Sequence, residues 1–169
     1  MTTLKHKRLL TRAKLYKKLF YSLVDNTELK DYKEKINFRV CNKLHRYNNT
    51  RVRTITKYLY NNREIKKDKK YTVCFDFTIL EQLAYTGFSN DYYKCRHLTL
   101  SFLLQNKKLL ARFIILHELK HIIDDLKGYS YDYFIGKINE CGRFIHTSEI
   151  NADKWSCNKL KDLKLISRY

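Results

Sequence analysis

"QNKKLLARFIILHELKHIIDDLKG", residues 105–128, is the stretch whose reading decides the fold. Its apolar residues continue for about six turns, far beyond the length of an ordinary strand, so it reads as a helix. Asn106 supplies a side chain that can cap the start, and Gly128 can adopt the left-handed conformation that ends a helix. Ile114, Ile115, Leu116, Leu119, Ile122 and Ile123 make the helix apolar nearly all round, which predicts burial. Yet His117, Glu118 and His121 sit in its middle. Buried polar groups need partners, and these three need a common one.

Metal is the economical partner. Residues four apart on a helix project from one face, one turn up, so two imidazoles at 117 and 121 can hold one tetrahedral zinc ion. Glu118 lies beside them and can reach a zinc-bound water without being a ligand. Zinc lowers the pKa of that water, and the carboxylate takes its proton. That division of labour explains the order His, Glu, x, x, His.

Two histidines leave the site incomplete, because a catalytic zinc takes three protein ligands and one water. The stretch "SEINADKWS", residues 148–156, offers the rest. Glu149 and Asp153 are four apart on an expected helix and share a face. Glu149 can bind the metal, and Asp153 can accept a hydrogen bond from the far nitrogen of a ligating histidine and fix its tautomer. Ala152 is small enough to let two helices approach. His146 is the rival third ligand. His146, Arg143 and one of Tyr129, Tyr131 or Tyr133 are candidates for stabilising the oxyanion of a tetrahedral intermediate. Asp124, three after His121, is a further candidate support, with a solvated helix end as the alternative.

The two stretches together resemble the gluzincin metallopeptidases, and within them the ImmA/IrrE family. Arg112 and Phe113 match the lead-in, and His117, Glu118 and His121 match the metal motif. Glu149, Ala152, Asp153 and Trp155 match the second motif, with Asp for the usual Asn and Trp for the usual Phe. Lys120 stands where the family has a small residue. The resemblance spans about residues 70–160. It favours Glu149 over His146, and it implies one zinc ion and a peptidase that cuts a protein substrate such as a repressor or other regulator.

Around this centre the rest of the chain reads as follows. Residues 4–24 form a helix, with Leu9, Ala13, Tyr16, Phe20 and Leu23 on one face. Further helices are expected at about 28–46 and 51–61. "NNREIKKDKK", 61–70, reads as a loop or linker. "YTVCFDFT", 71–78, alternates with a period of two and reads as a strand. Residues 79–88 suggest a short helix ending near Gly87, and "HLTLSFL", 97–103, a second strand. A peptide substrate would lie extended along that strand by strand addition. Residues 129–146 read as short strands or irregular loops. A last helix is expected over 148–164, capped by Thr147 or Ser148. The fold class is therefore α+β: a small sheet packed on the helix carrying the histidines and on a second ligand-bearing helix. The expected division is a basic helical region, 1–65, and a zincin-like domain, 66–169.

The chain of 169 residues carries a net charge of +18. Residues 1–70 hold 21 Lys and Arg against 6 Asp and Glu, so most of the excess lies there. Such a block suggests a nucleic-acid partner for residues 1–70, and the competing reading is a nucleic-acid-binding regulator with a vestigial or structural zincin domain. Lys, Asn, Tyr and Ile abound, as AT-rich coding produces, which is consistent with a viral or mobile-element source. No apolar run reaches signal-peptide or membrane-span length. Five cysteines, at 41, 74, 95, 141 and 157, contain no C-x-x-C pair and read as reduced thiols. The expected location is cytoplasmic, nuclear or host-cell interior, with no secretion.

Overall fold

The amino-terminal helix buries one stripe of its surface and leaves the rest to solvent. In the computed structural model this helix, α1, runs Thr2–Asp25. The structure describes residues 2–41, 51–61, 64–76, 80, 103, 106–129, 136–138 and 144–166. Phe20, Leu23 and Val24 are buried, and Tyr16 and Leu19 pack against the same core. A 3-10 helix, Lys30–Lys35, then turns the chain into β1, Ile36–Cys41. Two long strands follow, β2, Arg51–Asn61, and β3, Glu64–Asp76. The carboxyl-terminal half holds α2, Lys107–Leu126, then β4, Gly136–Ile138, β5, Phe144–His146, and α3, Thr147–Asp162. Mixed helix and strand make this an α+β arrangement.

The main sheet has the order β1-β3-β2. β1 runs parallel to β3, pairing Ile36 with Tyr71 and Val40 with Phe75. β2 runs antiparallel to β3, from Arg51 opposite Cys74 to Asn61 opposite Glu64. Alternation places Ile36, Phe38, Tyr71, Val73 and Phe75 on one buried face, as a half-covered sheet requires. α1 covers that face. The Phe20 ring stacks on Phe38 with centroids 4.5 Å apart, and Tyr16 meets Phe75 at 5.0 Å. Such aromatic pairs add about 0.5–1.5 kcal/mol each beyond the area they bury.

Several expectations need correction. Residues 36–41 and 51–61 are strands, so among the described residues before 65 helix is confined to Thr2–Asp25 and Lys30–Lys35. β-branched and aromatic residues in "RVRTITKYLYN" favour the extended state, and pairing with β3 satisfies its backbone. The expected linker 61–70 lies mostly within β3. Its charges suit a stretch that reaches past the end of β1, and β2 supplies its hydrogen-bond partners. The pairing of β1 with residues 71–76 therefore joins chain from both sides of position 65.

The expected strand 71–78 is present to Asp76; residues 77–78 lie outside the described residues. So do the expected short helix 79–88, apart from the helical Leu80, and residues 97–102. Leu103, the last residue of that expected strand, is helical. The ambiguous stretch 129–146 contains the two-stranded β4–β5 pair. α3 begins at Thr147 and has His146, not Thr147 or Ser148, at the cap position, with no side-chain cap bond. No helix among the described residues is long and apolar enough to cross a membrane.

Candidate metal centre

α2 forms where its ends dictate. The Asn106 side chain accepts hydrogen bonds from the backbone N–H groups of Lys108 and Leu109, at 3.1 and 3.2 Å. At the other end Gly128 takes φ +77°, while Gly128 and Tyr129 donate to the carbonyls of Asp125 and Asp124. This double closure is a Schellman motif, and it depends on the freedom of Gly128 to turn left-handed. Between these stops the helix is buried on almost every side, including His117 and Glu118.

The far end of α2 is tied to the sheet. Asp125 accepts from Lys69 at 2.8 Å and from the Tyr71 hydroxyl at 2.6 Å, both on β3. Burial opposes ionisation of Asp125, but these two donors outweigh it and hold its pKa below the usual carboxylate value. Lys127 adds an ion pair with Glu28, at 3.0 Å, from the segment after α1.

α3 presents a stripe of small and polar residues: Glu149, Ala152, Asp153, Ser156 and Cys157, then Leu160. These positions follow helical spacing, and all but Glu149 are buried. Ala152 is fully buried, and Ser156 turns its hydroxyl back to the Ala152 carbonyl at 2.7 Å instead of requiring a partner across the interface. Small side chains at this contact let α3 approach α2 closely.

The two helices bring four of the expected residues together. His117 Nδ1 lies 2.8 Å from Asp153 Oδ1. Its other nitrogen, Nε2, lies 3.2 Å from Glu149 Oε2 and 3.1 Å from His121 Nε2. His121 Nε2 is 3.3 Å from Glu149 Oε1. One donor atom from each of His117, His121 and Glu149 falls within 4.8 Å of the others, so the group can hold a metal ion. A tetrahedral ion with bonds of about 2.0–2.1 Å separates neighbouring donors by roughly 3.3 Å, close to these three contacts. The donor chemistry fits as well: two imidazoles and one carboxylate suit a borderline cation, and they are the three donors grouped there among the described residues.

The local field favours a cation. Glu118, Glu149 and Asp153 surround two imidazoles that are neutral in their ordinary state. Burial opposes a charged His117, yet hydrogen bonds to Asp153 and Glu149 and the nearby Glu118 charge push its pKa up to about 10. Burial also opposes charge on Glu149, but the two histidines pull its pKa far below the usual carboxylate range. The same field that holds a proton there holds a metal ion in its place. With a metal ion in place of that proton, Asp153 accepting from Nδ1–H would leave the Nε2 lone pair of His117 for the ion.

The other expected residues fall elsewhere. His146 ends β5 and does not join the donor group. Tyr129 is exposed beyond the end of α2. Arg143, Tyr131 and Tyr133 lie outside the described residues. Lys120 forms a close ion pair with Asp124, one turn along α2, so both charges are engaged with each other. That pair was legible as an i,i+4 spacing. The Asp125–Lys69–Tyr71 link was missed, and no local pattern marks it because its members are over 50 residues apart. Burial, then the Asp153 charge, pushes the Cys157 thiol up to about 11, so it stays protonated near neutrality. No family model, curated protein or solved structure matches this chain.

Proposed function

We propose that this chain is a zinc-dependent endopeptidase of gluzincin type acting on a protein substrate. A regulator such as a repressor is the substrate class that the sequence resemblance implies. The observation that carries the reading is the triangle of donors from His117, His121 and Glu149, with buried Glu118 next to His117 in the chain. Two imidazoles with one carboxylate match the ligand set of catalytic zinc sites that keep one position for water.

His117, His121 and Glu149 would hold the ion, and Asp153 orients His117. Zinc supplies Lewis acidity when bound, polarising the scissile carbonyl and acidifying water. Glu118 takes the proton of the attacking water and returns it to the leaving amine. Apolar neighbours Leu116 and Leu119, both fully buried, keep the helix fixed while the proton moves. The buried free thiols Cys74 and Cys157 fit work in a reducing compartment.

The test combines metal analysis with proteolysis of a mixed peptide library read by mass spectrometry. Purified protein should contain one zinc per chain and cut the library. Glu118→Gln should retain the zinc and lose at least 100-fold in cleavage rate, the usual contribution of a general base. Absence of stoichiometric zinc, or full cleavage by Glu118→Gln, refutes the reading.

A further inference from the structure

Anchoring along α3 is uneven. Its carboxyl-terminal half is set into the core: Ser156 and Leu160 are fully buried, Cys157 is buried, and Trp155, Leu163 and Ile166 pack against the same core. The Leu165 amide donates to the Leu160 carbonyl and closes that end. The first turn lacks such footing. Thr147, Ser148, Glu149 and Ile150 are half-buried, Asn151 is exposed, and Ala152 is the first buried residue of the helix. His146 stands at the cap position without a side-chain cap bond, so its ring does not serve the first N–H groups of α3.

The chain that enters this turn is weakly braced. β5 is three residues long and pairs with the three residues of β4, and a two-stranded ribbon of that size is marginal on its own. Glu149 joins the turn to α2: its two carboxylate oxygens lie 3.3 Å from His121 Nε2 and 3.2 Å from His117 Nε2. Both histidines sit in the middle of α2, a helix closed at each end and buried on almost every side. Two donors are therefore fixed in place. The third rides on a turn with no buried residue of its own.

We propose that the ion taken up by His117, His121 and Glu149 is the latch that closes the first turn of α3 onto α2. Opening of the turn carries Glu149 away and removes one of three ligands, so binding of the ion makes that opening rarer. The donor set is completed in order: the histidines stand ready on α2, and Glu149 arrives with its turn. Metal uptake thus orders residues 147–151, while the carboxyl-terminal half of α3 is held by its own apolar contacts. The inference rests on the metal centre and is independent of peptide cleavage.

The test is hydrogen exchange of the full chain, resolved by amide with NMR, first after treatment with a chelator and then with zinc at about 100 times its Kd. Competition with a chromophoric chelator supplies that Kd. In the α-helical pattern the amides of Asn151, Ala152 and Asp153 donate to carbonyls of the first turn, so they report its opening. Without zinc they should exchange at least about 10-fold faster than those of Ser156, Cys157 and Leu160, after correction for intrinsic rates. With zinc they should slow by about 10–100-fold, the upper value applying where opening releases the ion outright. Glu149→Gln, with zinc at about 100 times its own Kd, should slow by less than about 3-fold, because the turn then opens without disturbing the ion. Circular dichroism checks that this variant keeps its helices, since Glu and Gln have similar propensity. Zinc binding that leaves amides 151–153 unchanged overturns the proposal. So does equal protection along α3 in the zinc-free protein, or slowing in Glu149→Gln that matches wild type. Failure to bind zinc at all removes the metal centre together with the latch, and the competition curve tells that result from the others.

Discussion

Asp153→Asn isolates the positioning of one imidazole. Asp153 is only 2% exposed, and its Oδ1 is 2.8 Å from His117 Nδ1. Asn has nearly the same shape and its oxygen can still accept from Nδ1–H, so the buried position stays filled. What disappears is the charge, and a charge-assisted hydrogen bond is about twice as strong as a neutral one. Loss of such an outer partner lowers metal affinity about 10–100-fold, or about 1.4–2.7 kcal/mol. The assay is thermal unfolding at a zinc concentration 100 times the wild-type Kd. Wild type should gain about 2.7 kcal/mol, which for a chain of this size raises Tm by about 5–11 °C. Asp153→Asn at the same zinc concentration should gain about 0.4–1.4 kcal/mol, or about 1–6 °C. Asp162→Asn, an exposed change on the same helix, serves as the control and should behave as wild type. An Asp153→Asn shift equal to wild type would remove Asp153 from the site. No zinc-dependent shift in wild type would remove the metal centre altogether.

Two further predictions concern stability. Lys164 closes α3 in the left-handed region at φ 54°, with Leu165 donating to the Leu160 carbonyl, so Lys164→Gly should gain about 1 kcal/mol, read as a higher urea midpoint at unchanged m. Asp125→Asn weakens the tie to Lys69 and Tyr71 and should cost roughly 1 kcal/mol at pH 7, discounted for partial exposure. The folded pKa of Asp125 is depressed, so its contribution is complete above the ordinary carboxylate pKa and fades as pH falls through the folded value. The gap between wild type and Asp125→Asn in urea midpoints should therefore close below about pH 4.

Legibility in the sequence followed the range of the interactions. The helix over 106–128 could be read end to end because Asn106 and Gly128 act on their own neighbours. The donor group could be read because two donors lie one turn apart on a single helix and Glu149 and Asp153 repeat that spacing on another. The stripe Glu149, Ala152, Asp153 marked which face of α3 would turn inward. The strands over 51–70 depart from the sequence expectation for the opposite reason. "EIKKDKK" carries too much charge to look like a strand, and only its pairing with β2 makes it one. In "RVRTITKYLYN" the dense Val, Ile, Thr and Tyr are a strand signal, against the expectation of a helix at 51–61. The parallel pairing of β1 with β3 leaves no local trace, since its partners are separated by the whole hairpin.

That separation sets an order of events during synthesis. Ile36 meets Tyr71, so β1 leaves the ribosome about 35 residues before its partner exists, a delay of roughly 2–7 s. For that interval Ile36, Phe38 and Val40 have no strand beside them. α1 is already made, so both members of the Phe20–Phe38 stack exist before the hairpin arrives. The amino-terminal helix is thus made before the hydrogen-bonding edge of β1 finds a partner, and it covers the face and not the edge.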